Sequence, residues 1–570
     1  MDWQKAEYNQ EIYDLAKAKG FSDILAKIIA VRIDDKGDVE DYLNPKIKNL
    51  MPNPLSILDV EKGANFLVES IKQKKRIAIF GDYDVDGACS SALIARFLRD
   101  FGIDYKIYIP DRIMEGYGPN SAALLSLQAE GYDLVITVDC GTTAFDALEV
   151  ASKNGLDILV VDHHLSESKI PDAIAVMNPN RFDDTSGLGY LCGAGVSFML
   201  LIAVNKIFKQ QNYYQENNLP EPKLFNLLDL VALATICDVV PVVKLNRAFV
   251  ALGLKLMAQT ENIGLRELFQ VANIDVGGVK TFHLGYIIGP RINAGGRVGK
   301  STVASELLST FDHNNIKELS QKLDHYNGER KAIEQIVLEK AFEQIEQKKL
   351  YDNNVIIVSN ENWHPGVIGI VASRIKDKYN KPAAVIAIEN NIGKASARSV
   401  EGINLGGLIH SAKAQGLLIA GGGHAMAAGF SVEEGKILAL SEFMQNVNND
   451  DIEASCYDME AKMSDISFRL LDELKILEPF GKNNAEPIFL IRGVMLSKHF
   501  LMQEKHLKLI LVDKDLGGLG SKVESILWNF DQFDILAKIQ NSSFDIICQL
   551  KENIWQGNRQ LRLDVMKFII

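Results

Sequence analysis

The feature that most constrains this fold is a pattern repeated between residues 76 and 164. An apolar run of strand length ends in an acidic residue, and a helix-length stretch follows it. The run RIAIF leads into GDYDVDG, the run DLVITVD ends on Asp139, and DILVVDHH ends on Asp162, His163 and His164. Strands are expected over residues 76–80, 105–109, 133–139 and 157–162, with helices over 87–101, 120–130 and 143–153 between them. Strands that alternate with helices in this way predict a parallel, doubly wound sheet. In such sheets ligands collect at the carboxyl ends of the strands. The acids of this chain stand at those ends.

Asp82, Asp84 and Asp86 lie within five residues of one another, and like charges so close need a cation or protons to neutralise them. Asp139, the Asp162-His163-His164 run, and Asp238 after LVALATIC add ligands from three further segments. Oxygen and imidazole donors suit two divalent cations, with Mn²⁺ or Mg²⁺ favoured over zinc because oxygens dominate. Such a pair would polarise a phosphoryl group and activate a water. Alternation along an extended segment is expected to put Asp84 and Asp86 on one side, each reaching a different metal. One of the two histidines can ligate while the other faces substrate. Asp82 and Asp162 also read as turn or cap residues. Cys89, Cys140 and Cys237, next to these acids, read as small buried residues rather than soft ligands.

Several segments read as phosphate contacts. Gly421, Gly422, Gly423 and His424 form a glycine-rich stretch whose N–H groups an anion can approach. Ser396 and Arg398 alternate on one strand and can fork onto a phosphate. Arg291 and Arg297 flank a flexible turn in RINAGGR. Arg112 and Tyr117 follow the second strand, so they open toward the same sheet edge, where Tyr117 either stacks on a base or caps the site. The net charge of −13 argues against indiscriminate nucleic-acid binding. Residues 360–430 nonetheless reverse that sign, with seven Lys/Arg against four Asp/Glu.

A chain of 570 residues exceeds one core. The expected division is an N-terminal helical appendage over 1–55, a catalytic α/β domain over 56–320, a connector over 321–350, a second α/β domain over 351–452, and a nucleic-acid-binding domain over 453–570. The fold class is therefore α/β: two α/β domains joined by a long helix, with a C-terminal β-barrel of the OB type. Residues 327–350 read as that helix, with Ile333, Val337, Ala341 and Ile345 stepping by four. Five strand-like stretches after residue 486 predict the barrel. Six cysteines without a CxxC pair fit neither a disulfide framework nor a zinc knuckle. With no membrane-length apolar run and no leader-like start, a cytoplasmic location is expected.

GDYDVDG, ITVDCG, VVDHH and ATICDVVPV resemble, in order, the four signature motifs of the DHH phosphoesterases. GGGHAMAAGF is similar to the hallmark of the DHH-associated domain. RINAGGR, the connector and LEPFGKNNAEPIF narrow the resemblance to the single-strand-specific exonucleases of that superfamily. The resemblance implies 5′→3′ hydrolysis of single-stranded DNA to 5′-mononucleotides with two Mn²⁺ or Mg²⁺ ions, in repair and recombination. It implies Asp84, Asp86, Asp139, His163 and Asp238 as metal ligands and His164 against the scissile phosphate. In the mechanism expected from this set, which the resemblance does not itself supply, an arginine, Arg291, shares the phosphoryl charge. The resemblance places Arg112, Ser396, Arg398 and His424 near the 5′ phosphate. The chain is expected to act as a monomer, without a membrane, with single-strand-binding protein and a helicase as candidate partners that no motif identifies. One departure is Phe80, where some relatives carry a ligating histidine; Asp82 or water is left to complete that shell. The alternatives are a phosphodiesterase for short oligonucleotides or cyclic dinucleotides, and a non-catalytic replication scaffold.

Overall fold

The apolar runs are short and flanked by turn residues, so they satisfy their backbone groups by pairing laterally. In the computed structural model, which describes residues 3–112, 115–447, 455–503, 505–514, 522–528, 533–540, 542–555 and 558–570, they do so as a parallel sheet. Its elements are β1 (Ile77–Gly81), α1 (Val85–Asp100), β2 (Tyr105–Tyr108), α2 (Ser121–Ala129), β3 (Leu134–Val138), α3 (Phe145–Lys153), β4 (Asp157–Val161) and β5 (Ala175–Met177). The strand order is β2-β1-β3-β4-β5, parallel throughout. Strand β5, three residues long, was too short to read from the sequence. Ala78, Phe80, Val135, Ile158 and Val160 pack on one face beneath residues of α2 and α3. Phe80 is fully buried there and stacks on Tyr108 at 5.1 Å, so it points away from the strand ends.

The helical region that follows contains α4 (Gly193–Gln210), α5 (Leu228–Cys237) and α6 (Gly289–Val298). RINAGGR, expected as a flexible turn, lies inside α6. Its glycines are packed: a Cβ on Gly296 would lie 2.9–3.1 Å from the Tyr83 side chain. Tertiary packing thus overrides the low helix propensity of Gly-Gly. The connector α7 (Ile316–Gln347) starts earlier and ends sooner than the expected 327–350. Val337, Ala341 and Ile345 are buried as expected, but the stripe continues through the polar set Asn327, Arg330 and Glu334, which bond one another.

The second sheet comprises β6 (Ile356–Asn360), α8 (Ile368–Tyr379), β7 (Ala383–Glu389), β8 (Ile392–Arg398), α9 (Leu405–Ala414), β9 (Ala420–Gly423) and β10 (Ala427–Glu433). Its order is β9-β10-β8-β7-β6, and only β6 and β7 run parallel. GGGH therefore forms an edge strand and turn rather than a free loop. Among the described residues, no helix is long and apolar enough to cross a membrane.

Cα packing divides the chain into two compact units, Asn53–Asp238 with Gly253–Glu453, and Met1–Pro52 with Val239–Leu252 and Ala454–Ile570. The first unit contains both sheets described so far. In the second, β11 (Phe489–Met502), β12 (His506–Asp513), β13 (Val523–Leu527), β14 (Ser543–Trp555) and β15 (Asn558–Ile569) pair in the order β11-β12-β13-β15-β14, and β14 returns to β11. Five strands thus close a barrel, leaving no free edge among them. The N-terminal segment, expected as an appendage, shares its core: Ile12, Leu25, Ile28 and Ile29 pack with Phe489, Leu509, Ile546 and Leu563. Arg32 pairs with Asp458 at 2.8 Å. Arg247 is buried over the Tyr42 ring and donates to the carbonyls of Tyr42, Leu477, Pro479 and Glu478. The expected boundary at 452–453 lies outside the described residues.

Candidate active site

The carboxyl ends of β1, β3 and β4 lie side by side, and the sheet delivers three loops to one point. Asp139 leaves β3 with φ 60°, a left-handed conformation that Asp tolerates better than most residues. Asp238 caps the C-terminus of α5. His163 Nε2 lies 3.2 Å from Asp139 Oδ1, 3.6 Å from Asp86 Oδ2 and 3.6 Å from Asp238 Oδ2. Ligand atoms gather in three overlapping sets: Asp82/Asp84/Asp139, Asp86/His163/Asp238 and Asp139/His163/His164.

The expected extended geometry of Asp84 and Asp86 is corrected by the structure. Asp84 is the N-cap of α1, accepting the Gly87 N–H at 3.0 Å, and Asp86 sits in the first turn. A helix N-terminus favours both charges. Gly87 is required at this turn, because a Cβ would lie 2.4 Å from the Asp82 carbonyl oxygen. Asp86 accepts the N–H groups of Gly193 (2.6 Å) and Ala194 (2.8 Å), the first residues of α4. The Val85 N–H donates to Asn293 Oδ1 at 3.1 Å, which ties the loop to α6.

The electrostatics of this cluster call for cations. Burial, then mutual repulsion, raises Asp82 and Asp139 above the ordinary carboxylate range, and burial raises Asp86 against the pull of His163. Asp82 Oδ1, Asp139 Oδ1 and His163 Nε2 are buried without a hydrogen-bond partner. Buried polar atoms are rarely left so, and a converging, unsatisfied O/N donor set fits hard divalent cations. The neighbouring thiols do not join it. Cys140 donates to the Phe80 and Val138 carbonyls and Cys237 to that of Leu284, while burial raises both thiols.

Asp162, which the sequence leaves open between ligand and turn or cap residue, orients the histidine pair. It accepts from the N–H groups of Thr142, His163 and His164 and from His164 Nδ1 at 2.8 Å. A carboxylate only accepts, so Nδ1 carries the proton. Burial opposes charge on His164, but Asp162 outweighs it with help from Asp238 and Asp82, and His164 is pushed up to about 9. Asn178 and Asn180 donate to the His164 and His163 carbonyls, fixing the backbone beneath the pair. Their only signal in the sequence is the polar NPN closing a short apolar run. Tyr117 is half-exposed, and its hydroxyl donates to the Asp139 carbonyl beside the His164 ring.

A second cluster lies in the same unit. The Arg112 guanidinium lies 4.8 Å over the Tyr83 ring. Arg297, one residue after Gly296, donates to the Gly366 carbonyl at 3.1 Å. Burial first, and then Arg112, lowers both Arg297, to about 10, and Arg398. Ser396 Oγ and Arg398 Nη1 are 3.1 Å apart, and both side chains face Gly369 in the first turn of α8. No ion pair joins Arg112, Arg297 or Arg398 to a carboxylate among the described residues. Crowded guanidiniums without counter-charge form an anion site. Gly422, Gly423 and His424 lie at or near the surface of the β9–β10 hairpin, at the end where Ala427 pairs opposite Arg398. Arg291 is not brought to either cluster by a described contact; it pairs with Asp324 at 2.9 Å and donates to the Ile287 carbonyl.

A parallel sheet whose strand ends gather Asp and His at one point, followed by a second α/β layer, defines the DHH class. The DHH family model (N-terminal domain) matches residues 76–235, the DHHA1 domain residues 352–450, and the RecJ OB domain residues 457–567. The chain is 32% identical over 542 residues to the single-stranded-DNA-specific exonuclease RecJ of Haemophilus influenzae, covering 91% of this chain and 92% of that protein. It is 30% identical over 575 residues to its Bacillus subtilis namesake, covering 99% and 70%. A crystal structure of RecJ in complex with Mn²⁺ from Thermus thermophilus superposes with a TM-score of 0.82 at 27% identity, covering 100% of this chain and 79% of that one. The chain belongs to the RecJ family.

Proposed function

We propose that this chain is a metal-dependent exonuclease that degrades single-stranded DNA from its 5′ end to 5′-mononucleotides in DNA repair and recombination. The observation that carries the reading is the convergence of five carboxylates and two imidazoles with three buried, unpartnered ligand atoms. Asp82, Asp84, Asp86, Asp139, His163 and Asp238 are the residues that would hold two Mn²⁺ or Mg²⁺ ions. Bound there, such ions neutralise the carboxylates, activate water and polarise the phosphoryl group.

The remaining work falls to the chain's own groups. His164, held through Nδ1 by Asp162, presents its other nitrogen to a phosphoryl oxygen. Arg112, Arg297, Ser396 and Arg398 hold the terminal 5′ phosphate, with Gly422, Gly423 and His424 at its rim. Tyr117 offers a ring beside the scissile position. Arg291, already paired with Asp324, braces α6 instead of sharing phosphoryl charge.

Residues 56–320 carry the chemistry, 321–350 connect, 351–452 recognise the strand end, and 453–570 grip the strand. The enzyme acts as a cytoplasmic monomer, and single-strand-binding protein and a helicase supply its substrate. A small-substrate phosphodiesterase has no use for the closed barrel, and a non-catalytic scaffold has no reason to keep the full ligand set.

The test is a 3′-labelled, 5′-phosphorylated single strand and its duplex, each with Mn²⁺ or with chelator. The expected result is a ladder of shortening labelled strands from the single strand alone, in Mn²⁺ alone. Early release of the label, equal digestion of duplex, or turnover in chelator would overturn the reading.

A further inference from the structure

Residues 281–298 form one continuous helical rod: a short α-turn (Thr281–His283), a π-helical segment (Leu284–Ile288) and α6. Spacings of four, seven and four residues put Phe282, Tyr286, Asn293 and Arg297 along one side of it. Two of these are already engaged, since Asn293 accepts the Val85 N–H of the carboxylate loop and Arg297 enters the anion cluster. The other two are not buried. Phe282 is 57% exposed and Tyr286 75%, and their rings stack on each other at 5.1 Å with a 25° tilt. The opposite side of the rod, at Leu284 and Ile288, is buried, and the Leu284 carbonyl accepts from Cys237, the neighbour of Asp238. The pair therefore sits on a helical element anchored by its buried side, with more than half of each residue's surface open to solvent.

The charge along the rod says what such faces would meet. Residues 276–300 carry four Lys/Arg and no Asp or Glu, in a chain of net charge −13; Lys280 lies two residues before Phe282 and Arg297 lies at the far end in the anion cluster, while Arg291 is already paired with Asp324. A basic stretch interleaved with exposed aromatic rings suits a single-stranded polyanion whose bases have free π-faces. A π-helical segment within a helix is a frequent mark of a functional site.

We infer that Phe282 and Tyr286 form a stacking platform for an unpaired base of the substrate strand. Fifteen residues at about 1.5 Å rise separate Phe282 from Arg297, roughly 22 Å along the rod. The platform therefore engages a base several nucleotides from the phosphate held at Arg297, with the carboxylate loop between. This rests on the nuclease reading above and adds a specificity determinant to it: duplexed bases have no free face to offer, and dinucleotides are too short to reach.

The experiment separates the two claims by measuring binding without metal and turnover with it. Tyr286→Trp gives a reporter, expected to be quenched on titration with a 5′-phosphorylated 12-mer oligothymidylate in EDTA. The Phe282→Ala/Tyr286→Ala double variant is expected to bind that 12-mer about tenfold more weakly, with KM raised similarly. Its turnover of a 5′-phosphorylated dinucleotide in Mn²⁺ and its melting temperature should match wild type. Phe282→Tyr/Tyr286→Phe should restore 12-mer binding. An unquenched Trp, or unchanged 12-mer affinity in the double Ala variant, overturns the platform even if nuclease activity is intact. Absence of nuclease activity in the wild-type protein would instead sink the reading beneath it.

Discussion

Replacing Asp162 by Asn tests the chemistry at its least obvious point, because this residue holds no ligand position. Its carboxylate receives three backbone N–H groups and the His164 Nδ1–H. An asparagine in its place would keep one acceptor oxygen but lose the charge, and its amide would set a donor against a donor. Without that charge His164 falls from about 9 toward the ordinary histidine value of 6.5. At pH 8 the charged fraction then drops from about nine-tenths to about three-hundredths, roughly thirtyfold. The His164 side chain is 39% exposed, so solvent screening returns part of this; about tenfold is the expected loss of kcat at that pH. The sign is fixed: a raised histidine keeps its charge until pH climbs through about 9, and its contribution to stability, full below about 6.5, fades as pH rises from there through about 9. The assay is kcat against pH from 6 to about 9.5 in Mg²⁺ for both proteins, with melting curves in parallel. The separation of the two alkaline limbs is the readout. Superimposed limbs, with the variant folded, would refute the claim that a charged His164 meets the phosphoryl oxygen.

Asp139→Ala should abolish cleavage while leaving oligonucleotide binding largely intact, and Asp139→Asn should do the same with less strain at its positive φ; near-normal turnover removes the two-metal assignment. Arg398→Ala should reduce the preference for 5′-phosphorylated over 5′-hydroxyl strands about tenfold, as expected for a lost charge-assisted bond; competition between the two strands measures it, and an unchanged ratio places end recognition elsewhere. Gly296→Ala should gain helix propensity yet push the Tyr83 ring from beneath Arg112, weakening the same preference; a more stable enzyme with unaltered preference would separate Tyr83 from the phosphate site. Mn²⁺ at about a hundredfold its dissociation constant should stabilise the fold by roughly 2.7 kcal/mol. A differential scan reads this as a rise in Tm, and no rise means that the crowded carboxylates are not the ions' site.

How much of this was legible in the sequence follows from how local each determinant is. Asp139 and the histidine pair could be placed because strand ends are set by the apolar runs that precede them. The conformation of Asp84 and Asp86 could not, because it depends on an N-cap and on amides from Gly193 and Ala194 more than a hundred residues away. RINAGGR misled for a similar reason: two glycines read as freedom, whereas the Tyr83 ring fills the space beside Gly296 that a side chain would need. Arg297 was visible only as half of a pair, and the Asp324 contact that sets Arg291 apart lies on another helix. The barrel showed in its strand periodicity, but its sharing of a core with the first helices did not, since no local pattern encodes a partner more than four hundred residues distant.

That shared core has a consequence for how the molecule is made. Arg247 finds its carbonyl partners partly near residue 42 and partly near residue 478. As the chain leaves the ribosome, its first fifty residues and this guanidinium must wait, incompletely satisfied, until the last fifth has been synthesised. Cutting the barrel away would therefore do more than remove a tail; it would strand a buried cation and unroof the amino terminus. A truncated chain that loses activity would then be reporting misfolding as much as lost DNA contact.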